Sequence, residues 1–494
     1  MNIKKFFSNK NNLYLIGILL FALILRLLYL TINKSLWWDE AEYLSIAKHW
    51  AFGIQANISI LRALYFPAFA AFLYKLGANE LTFRVIEMIV SLGAVYGTYL
   101  LGKEMYNEKV GLISSFIMSF FWLVLFYTAR IMVDIPALTF SLFTLYFFWV
   151  GYVNKKSKYN LWWMGFFGAL AIMMKFTAGL VVLVILIYLI INEKLNFLKN
   201  KNLWIGVFIG FLTTLPYLIY SLIKYKTIGI IAASGVYGQA IRLKEYIAQF
   251  PDVFYSPIPY IGGGIHILLI LFLIGLVLVL INLIIGFDLI KNDSKLRSDF
   301  MNILVILTVF TYHAFFIGMV ESRYLIFIFP STFFIISNLL IRFYDKLKLH
   351  HKEIAIGIII IILGISAYQQ INYADSLIKY KSLGQIQLKE AGLWIKENSN
   401  KNDIIFNSAW PQNTYYSERE TISYNVFNTT QQFIDEFNKV KPKYIVLTGL
   451  ERQPEWSLKW VQENQDKLKP VQIYFLDQEQ KQPIVIIYEP IYKK

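Results

Sequence analysis

LYLIGILLFALILRLLYLTINKSLWWDEAEYLSIAKHW, residues 13–50, is the stretch whose reading decides the fold. Positions 13–32 are apolar apart from a few small or polar residues and one charge, Arg26. The hydrocarbon core of a bilayer takes roughly 20 residues of helix, so this run predicts a membrane span. The preceding MNIKKFFSNKNN is basic. The apolar run is long and lacks a small-residue cleavage site, which predicts a retained span rather than a cleaved leader. Just past it come Trp37 and Trp38, then three carboxylates in four residues, Asp39, Glu40 and Glu42. Paired indoles at that place are the expected interfacial belt. The acids have no such explanation.

The same test, carried outward, finds ten more runs, near 80–101, 110–128, 135–152, 161–175, 177–192, 203–222, 264–286, 300–318, 323–341 and 353–370. About eleven transmembrane helices are therefore expected, with 161–192 holding two short ones. Composition agrees: 57% of the 494 residues are apolar, only 16% are charged, and mean hydropathy is +0.51. So much apolar surface needs lipid as its solvent, which excludes a soluble globular protein. The net charge of +15 does not indicate nucleic acid. Residues 371–494 hold 16 Lys and Arg against 15 Asp and Glu, so the excess lies in short loops among the spans. There it follows the positive-inside rule. With no Cys, disulfides and thiol chemistry are excluded.

The loops alternate in kind. The N-terminus, Lys103–Lys109, Lys155–Lys158, Glu193–Lys201, Lys291–Arg297 and Asp345–Lys352 are rich in lysine and are expected to face the cytoplasm. The opposite set, with aromatics, prolines, carboxylates and isolated arginines, comprises the WWDEAEY loop, YTARIMVDIP, the Lys175 turn, residues 223–263 and GMVESRYL. An odd number of spans then puts 371–494 outside. QLKEAGLWIKENS in that segment has helical spacing, and NDIIFN, KYIVLTG, QIYFLD and PIVIIYEP are short β-branched and aromatic runs. They predict a small extracytoplasmic α/β domain over 371–494, after a membrane domain over 1–370 with its first outer loop at 33–79. Within that loop, Ala41–Ala51 and Phe66–Leu76 read as helices too short to span.

Candidate chemistry gathers at the outer loops. Besides the acids at 39, 40 and 42, Arg130 and Asp134 stand four apart, sharing a face if helical. Two readings stay open there, a mutual ion pair or an acid facing Asp39 with Arg130 left for an anion. Glu321-Ser322-Arg323-Tyr324 places Arg323 at the membrane boundary, where a guanidinium can snorkel or meet a lipid-borne phosphate. A mid-span Arg costs roughly 2.5–3.5 kcal/mol on insertion scales, so Arg26 needs either a structural partner or a route to the surface. His49, His266 and His313 are dispersed and His350-His351 lies in a lysine-rich loop, so no metal cluster is legible.

In order and topology these pieces resemble the GT-C superfamily, in the branch of the protein O-mannosyltransferases and lipid A aminoarabinose transferases. The resemblance runs from Asp39-Glu40 through Pro67, Gly77 and Arg84 to the Arg130–Pro136 motif. It continues with Lys175 after Gly-Ala-Leu-Ala and with Arg323-Tyr324 and its downstream proline. It implies an inverting, cell-envelope glycosyltransferase that takes a sugar from a polyprenyl or dolichyl phosphate to an extracytoplasmic acceptor, at the cytoplasmic membrane. It implies Asp39 as catalytic base, with Glu40 and Asp134 as supporting or acceptor-orienting groups. For the lipid phosphate it implies Arg323 and Arg130 first, then Arg62, Lys175 and Tyr324. No metal or cofactor is required by this chemistry, although some relatives hold a divalent ion through carboxylates.

The chain departs from the aminoarabinose branch at Glu42 and Phe66, where that branch has basic residues; Arg62 is the nearby substitute. The loop 223–263 is also too short for the β-rich insertion of the protein O-mannosyltransferases. The competing function is a transporter or flippase of lipid-linked sugars. That function calls for polar residues on broken helices at mid-membrane, whereas these spans are mostly uniform Leu, Ile, Phe and Val.

Overall fold

The computed structural model describes residues 9–59, 61–229, 241–254, 266–477 and 479–492. Much of the 223–263 loop therefore lies outside the described residues. Two compact units emerge: a helical unit of Met1–Thr31, Ile60–Tyr65 and Arg84–Ile378, and a mixed unit of Ile32–Ser59, Phe66–Phe83 and Lys379–Lys494.

Among the described residues, nine helices are long and apolar enough to cross a membrane, from Lys10–Tyr29 to Lys352–Glu397. The pair Glu108–Phe120 and Trp122–Thr128, bent by 55°, and the shorter helix Tyr159–Met174 fill the two remaining places of the eleven expected runs. The bend has a local cause. Phe121 is extended (φ −62°, ψ 125°), and its ring is buried against Phe329 and Phe333 at centroid distances of 4.6 and 5.1 Å. The break frees the Trp122 amide, which donates to Gln370 Oε1 at 3.2 Å. Side-chain insertion into the ladder is a recognised source of such kinks.

Arg26 does not snorkel. It is 2% exposed, with Nε donating to Ser91 Oγ at 2.8 Å and Nη1 to the carbonyls of Ala22 and Ser119 at 3.0 Å. A buried guanidinium is tolerable only when hydrogen-bonded, so the structural reading holds.

The helices Tyr159–Met174 and Lys201–Tyr225 cross at glycines. A Cβ on Gly165 would fall on the Gly206 carbonyl, and one on Gly206 on the Leu161 carbonyl. Small residues at such crossings let backbones meet and gain dispersion energy. Gly206→Leu should lower thermal stability by roughly 1–3 kcal/mol, read as a fall in melting temperature in detergent, while Gly17→Leu, with open space at its Cβ position, should not.

The mixed unit is built on a five-stranded sheet: β1 (Ile404–Asn407), β2 (Glu420–Ile422), β3 (Tyr444–Thr448), β4 (Leu468–Phe475) and β5 (Pro483–Pro490), in the order β2-β1-β3-β5-β4. β1 pairs in parallel with β2 and β3, while β5 runs antiparallel to β3 and β4. Side chains alternate faces along a strand. Ile405, Val446 and Ile487 accordingly pack with Leu388 and Ile395 of the helix Ile386–Glu397. Phe406 and Ile445 face the other way, onto Phe433 and Trp460 of the helices Thr430–Val440 and Glu455–Glu463. Because β1 and β3 are covered on both sides, their sequences read as unbroken apolar runs. β2, with only three residues, had no such signature.

Two helices from the first loop, Trp38–Phe52 and Tyr65–Lys75, correspond to the short stretches expected there. The first is fastened to the helix Trp410–Ser417. Ser45 Oγ donates to the Pro411 carbonyl at 3.2 Å, and Lys48 Nζ to the Tyr415 carbonyl at 3.0 Å. Lys48 also pairs with Glu418 at 2.9 Å, and Lys396 with the same carboxylate at 2.8 Å. Burial alone would raise the Glu418 carboxyl; its bonds to Lys396 and Lys48 outweigh burial and hold it below its ordinary 4.5. A depressed folded value means the contribution is present above about pH 4.5 and is lost as pH falls through the folded value. Melting of wild type and Glu418→Gln should therefore differ at pH 6, and the difference should shrink as the pH is taken below 4.5.

Candidate functional site

Asp39 lies in the first turn of Trp38–Phe52, where the helix dipole favours a carboxylate. The helix starts there because Trp37 is extended (φ −78°, ψ 174°) and its amide donates to Glu40 Oε2 at 2.7 Å. Glu40 is fully buried and committed to that amide, and Glu42 is 3% exposed. Asp39 keeps partial exposure between them. Trp38 meets the buried Trp410 edge-on at 6.0 Å. Of the three acids, Asp39 is the least buried.

In the helical unit two of the other nominated residues, Lys175 and Arg323, stand over the Tyr324 ring, and Asp134 pairs with Lys175. Asp134 opens the helix Asp134–Phe148 and is 1% exposed; its Oδ1 accepts from Lys175 Nζ at 2.5 Å. Lys175 ends the helix Tyr159–Met174 in extended geometry, and its ammonium stands 5.2 Å from the Tyr324 ring centre. The Arg323 guanidinium stands 5.7 Å from the same ring and is ion-paired with Glu321. His313 stacks on Tyr324 at 5.5 Å. A ring with two cations at its faces or edges is an electron-rich support for charge. Each of the two cations is paired with a carboxylate, Lys175 with Asp134 and Arg323 with Glu321, and carries further N–H donors of the kind that meet an anion's oxygens.

Arg130 is differently placed. Trp122–Thr128 ends before it and the next helix begins at Asp134, so the two residues do not share one helical face as their spacing suggested. Arg130 is 1% exposed, with its guanidinium 5.9 Å from the Phe126 ring. Arg84, which donates to the Ala129 carbonyl at 2.9 Å, braces the same turn. Arg62 is half-buried in the turn before Tyr65–Lys75. Glu321, named in the sequence only as the neighbour of Arg323, and His313, named only among dispersed histidines, both join this group. Among the described residues, no three His, Asp or Glu side chains are arranged to hold a metal ion.

Residues 62–220 match the family model described as dolichyl-phosphate-mannose-protein mannosyltransferase. No curated protein sequence matches the chain. The fold is similar to that of ArnT from Cupriavidus metallidurans, solved bound to undecaprenyl phosphate. The TM-score is 0.66 at 10% identity, over 96% of this chain and 97% of that one. It is also similar to the Archaeoglobus fulgidus oligosaccharyltransferase tethered with an acceptor peptide. There the TM-score is 0.62 at 12% identity, over 88% of this chain and 69% of that one. The arabinofuranosyltransferase AftD from Mycobacteria matches with a TM-score of 0.60 at 10% identity, over 97% of this chain but 40% of its own. At such identities the likeness is one of fold.

Proposed function

We propose that this chain, a multi-pass membrane protein of the GT-C superfamily of glycosyltransferases, moves a sugar from a polyprenyl-phosphate donor to an acceptor outside the cytoplasm. The observation that carries the reading is the selective exposure of Asp39. Of three acids at one helix start, it alone is neither deeply buried nor spent on capping. A lipid phosphate leaves as a stable anion, so the leaving oxygen needs no proton, unlike the sugar oxygen in a two-carboxylate glycosidase. One base suffices. Asp39 takes the acceptor's proton as the acceptor oxygen attacks the sugar carbon from the face opposite the phosphate, inverting it.

Lys175 and Arg323, gathered on Tyr324, are the groups we assign to the phosphate, where cations stabilise developing charge. Asp134 then serves to aim Lys175 rather than to orient the acceptor. Arg130 and Arg62 are assigned supporting parts. The lysine-rich loops face the cytoplasm and the sheet of the mixed unit lies outside. ArnT and the archaeal enzyme, whose structures carry undecaprenyl phosphate and an acceptor peptide, support a donor and acceptor of these kinds.

The test is purified protein in vesicles supplied with radiolabelled polyprenyl-phosphate mannose and cell-envelope extract. Label on a new acceptor, with free polyprenyl phosphate released, is the expected result. Label that crosses the bilayer with its glycosidic bond intact would establish the transporter instead. Activity abolished by a chelator and restored by a divalent ion would add a metal to the site.

A further inference from the structure

In the mixed unit the chain leaves two neighbouring strands in opposite directions. β1 and β3 are adjacent and parallel, yet β1 leads to β2 on one side, while β3 leads through the helix Glu455–Glu463 to β4 at the opposite edge. At such a switch point the two connections part beyond the carboxyl ends of the strands, and open α/β sheets hold their ligands in the crevice between them. The connection after β1 carries Ser408 and Gln412, and the one after β3 carries Glu451 and Gln453. Ser408 Oγ donates to Gln453 Oε1 at 3.4 Å, joining the two.

The polar groups at that edge bond to one another and leave capacity over. Glu451 Oε1 accepts from Gln385 Nε2 at 2.7 Å and from Gln412 Nε2 at 3.3 Å. Gln412 Nε2 also donates to Gln385 Oε1 at 3.0 Å. Gln412 is fully buried, and its Oε1 has no hydrogen-bond partner among the described residues. A buried carbonyl without a donor is costly, so this group is complete only when a donor arrives. Gln385, Glu451 and Gln453 are half-buried, which brings the cluster to the surface. Two half-buried indoles stand beside it. Trp37 Nε1 lies 3.9 Å from where a Cβ on Gly384, the neighbour of Gln385, would fall. Trp38 meets Trp410, two residues before Gln412, edge-on at 6.0 Å.

We propose that this edge is a saccharide subsite and that the acceptor is a glycan. The inference rests on the proposed transfer to an acceptor outside the cytoplasm and names the acceptor's chemical class. A sugar presents neighbouring hydroxyls, each both donor and acceptor. Glu451 and the orphan Gln412 Oε1 accept from them, and the Gln385 and Gln453 amides donate. The flat indoles offer an apolar face to the sugar's C–H groups and an N–H to its oxygens. An extended peptide is commonly held by pairing with a free sheet edge, but β1 and β3 are interior strands with partners on both sides. Asp39 directly follows Trp38, so a saccharide seated against these indoles is presented at the helix start that carries the assigned base.

The test is saturation-transfer NMR on full-length protein in nanodiscs, with mannobiose, maltose and cellobiose as probes. At least one should bind. Glu451→Ala and Gln412→Leu should each weaken that binding about tenfold, the loss of one hydrogen bond to a charged or buried partner. Lys459→Ala, on the exposed side of Glu455–Glu463, should leave it unchanged. If Gln412→Leu loses its fold, read by melting, the half-buried Glu451→Ala decides. Wild-type protein that binds none of the three, or binding untouched by Glu451→Ala, overturns the subsite. An unglycosylated peptide rich in Ser and Thr that binds where the sugars do not, and is weakened by Glu451→Ala, overturns the saccharide class in favour of a peptide. Sugar transfer retained in Asp39→Asn, with saccharide binding intact, would overturn the base assignment alone. Transfer from polyprenyl-phosphate mannose by protein that binds none of the probes would overturn the subsite alone.

Discussion

Asp39→Asn should leave the protein folded and cut sugar transfer by on the order of 10²–10⁴-fold, the range a positioned general base contributes. The substitution is nearly isosteric and the side chain is partly exposed, so little packing is lost. The helix start is secured by Glu40 on the Trp37 amide, which the change does not touch. The effect should fall on the chemical step: donor KM close to wild type, kcat reduced. Glu40→Gln provides the contrast. It weakens the cap, a loss of about 1 kcal/mol by analogy with other N-terminal caps, and should register first in melting temperature. Comparing kcat, KM and melting temperature for the two variants separates chemistry from scaffolding. An Asp39→Asn enzyme with wild-type kcat would refute Asp39 as the base.

The second large effect belongs to the ion pair in the helical unit. Asp134→Asn leaves the Lys175 ammonium beside an almost wholly buried amide, with the carboxylate that neutralised it gone. Breaking one side of a buried pair costs roughly 3–5 kcal/mol, less where one partner, like Lys175, keeps some access to water. A marked fall in melting temperature is expected. Asp134→Asn combined with Lys175→Met removes both charges, and should recover most of that stability, because an apolar replacement of a whole pair is often neutral. Function separates the two roles. If Lys175 meets the donor phosphate, Lys175→Met and the double variant should both raise donor KM, even though the double variant is stable. A double variant with recovered stability and unchanged KM would confine the pair to a structural part.

Much of this is legible in the sequence. Hydropathy is a local sum, so every expected span has its helix or bent pair among the described residues. The runs NDIIFN, KYIVLTG, QIYFLD and PIVIIYEP contain β1, β3, part of β4 and all of β5. The short helices of the first loop were likewise readable from their length. The three-residue β2 was not, since a strand that short carries no period. The spacing of Arg130 and Asp134 misled for a related reason: a four-residue offset means a shared face only if the helix is continuous, and here it is interrupted.

By itself the sequence determined that this is a membrane protein with a small sheet-bearing region after its spans. It also singled out Asp39, Asp134, Lys175 and Tyr324 as residues to watch, because charge beside an apolar run is conspicuous in one dimension. Only the tertiary structure decided which charges meet. Asp134 takes Lys175 from 41 positions away as its partner, and Arg26 finds its hydrogen bonds on Ser91 and Ser119. Trp38 meets Trp410 edge-on, although more than three hundred and seventy residues of chain separate them. Hydrophobic burial is non-directional and leaves its mark in composition, whereas an ion pair or hydrogen bond needs two groups within a few ångströms. That distance is set by how the backbone returns on itself.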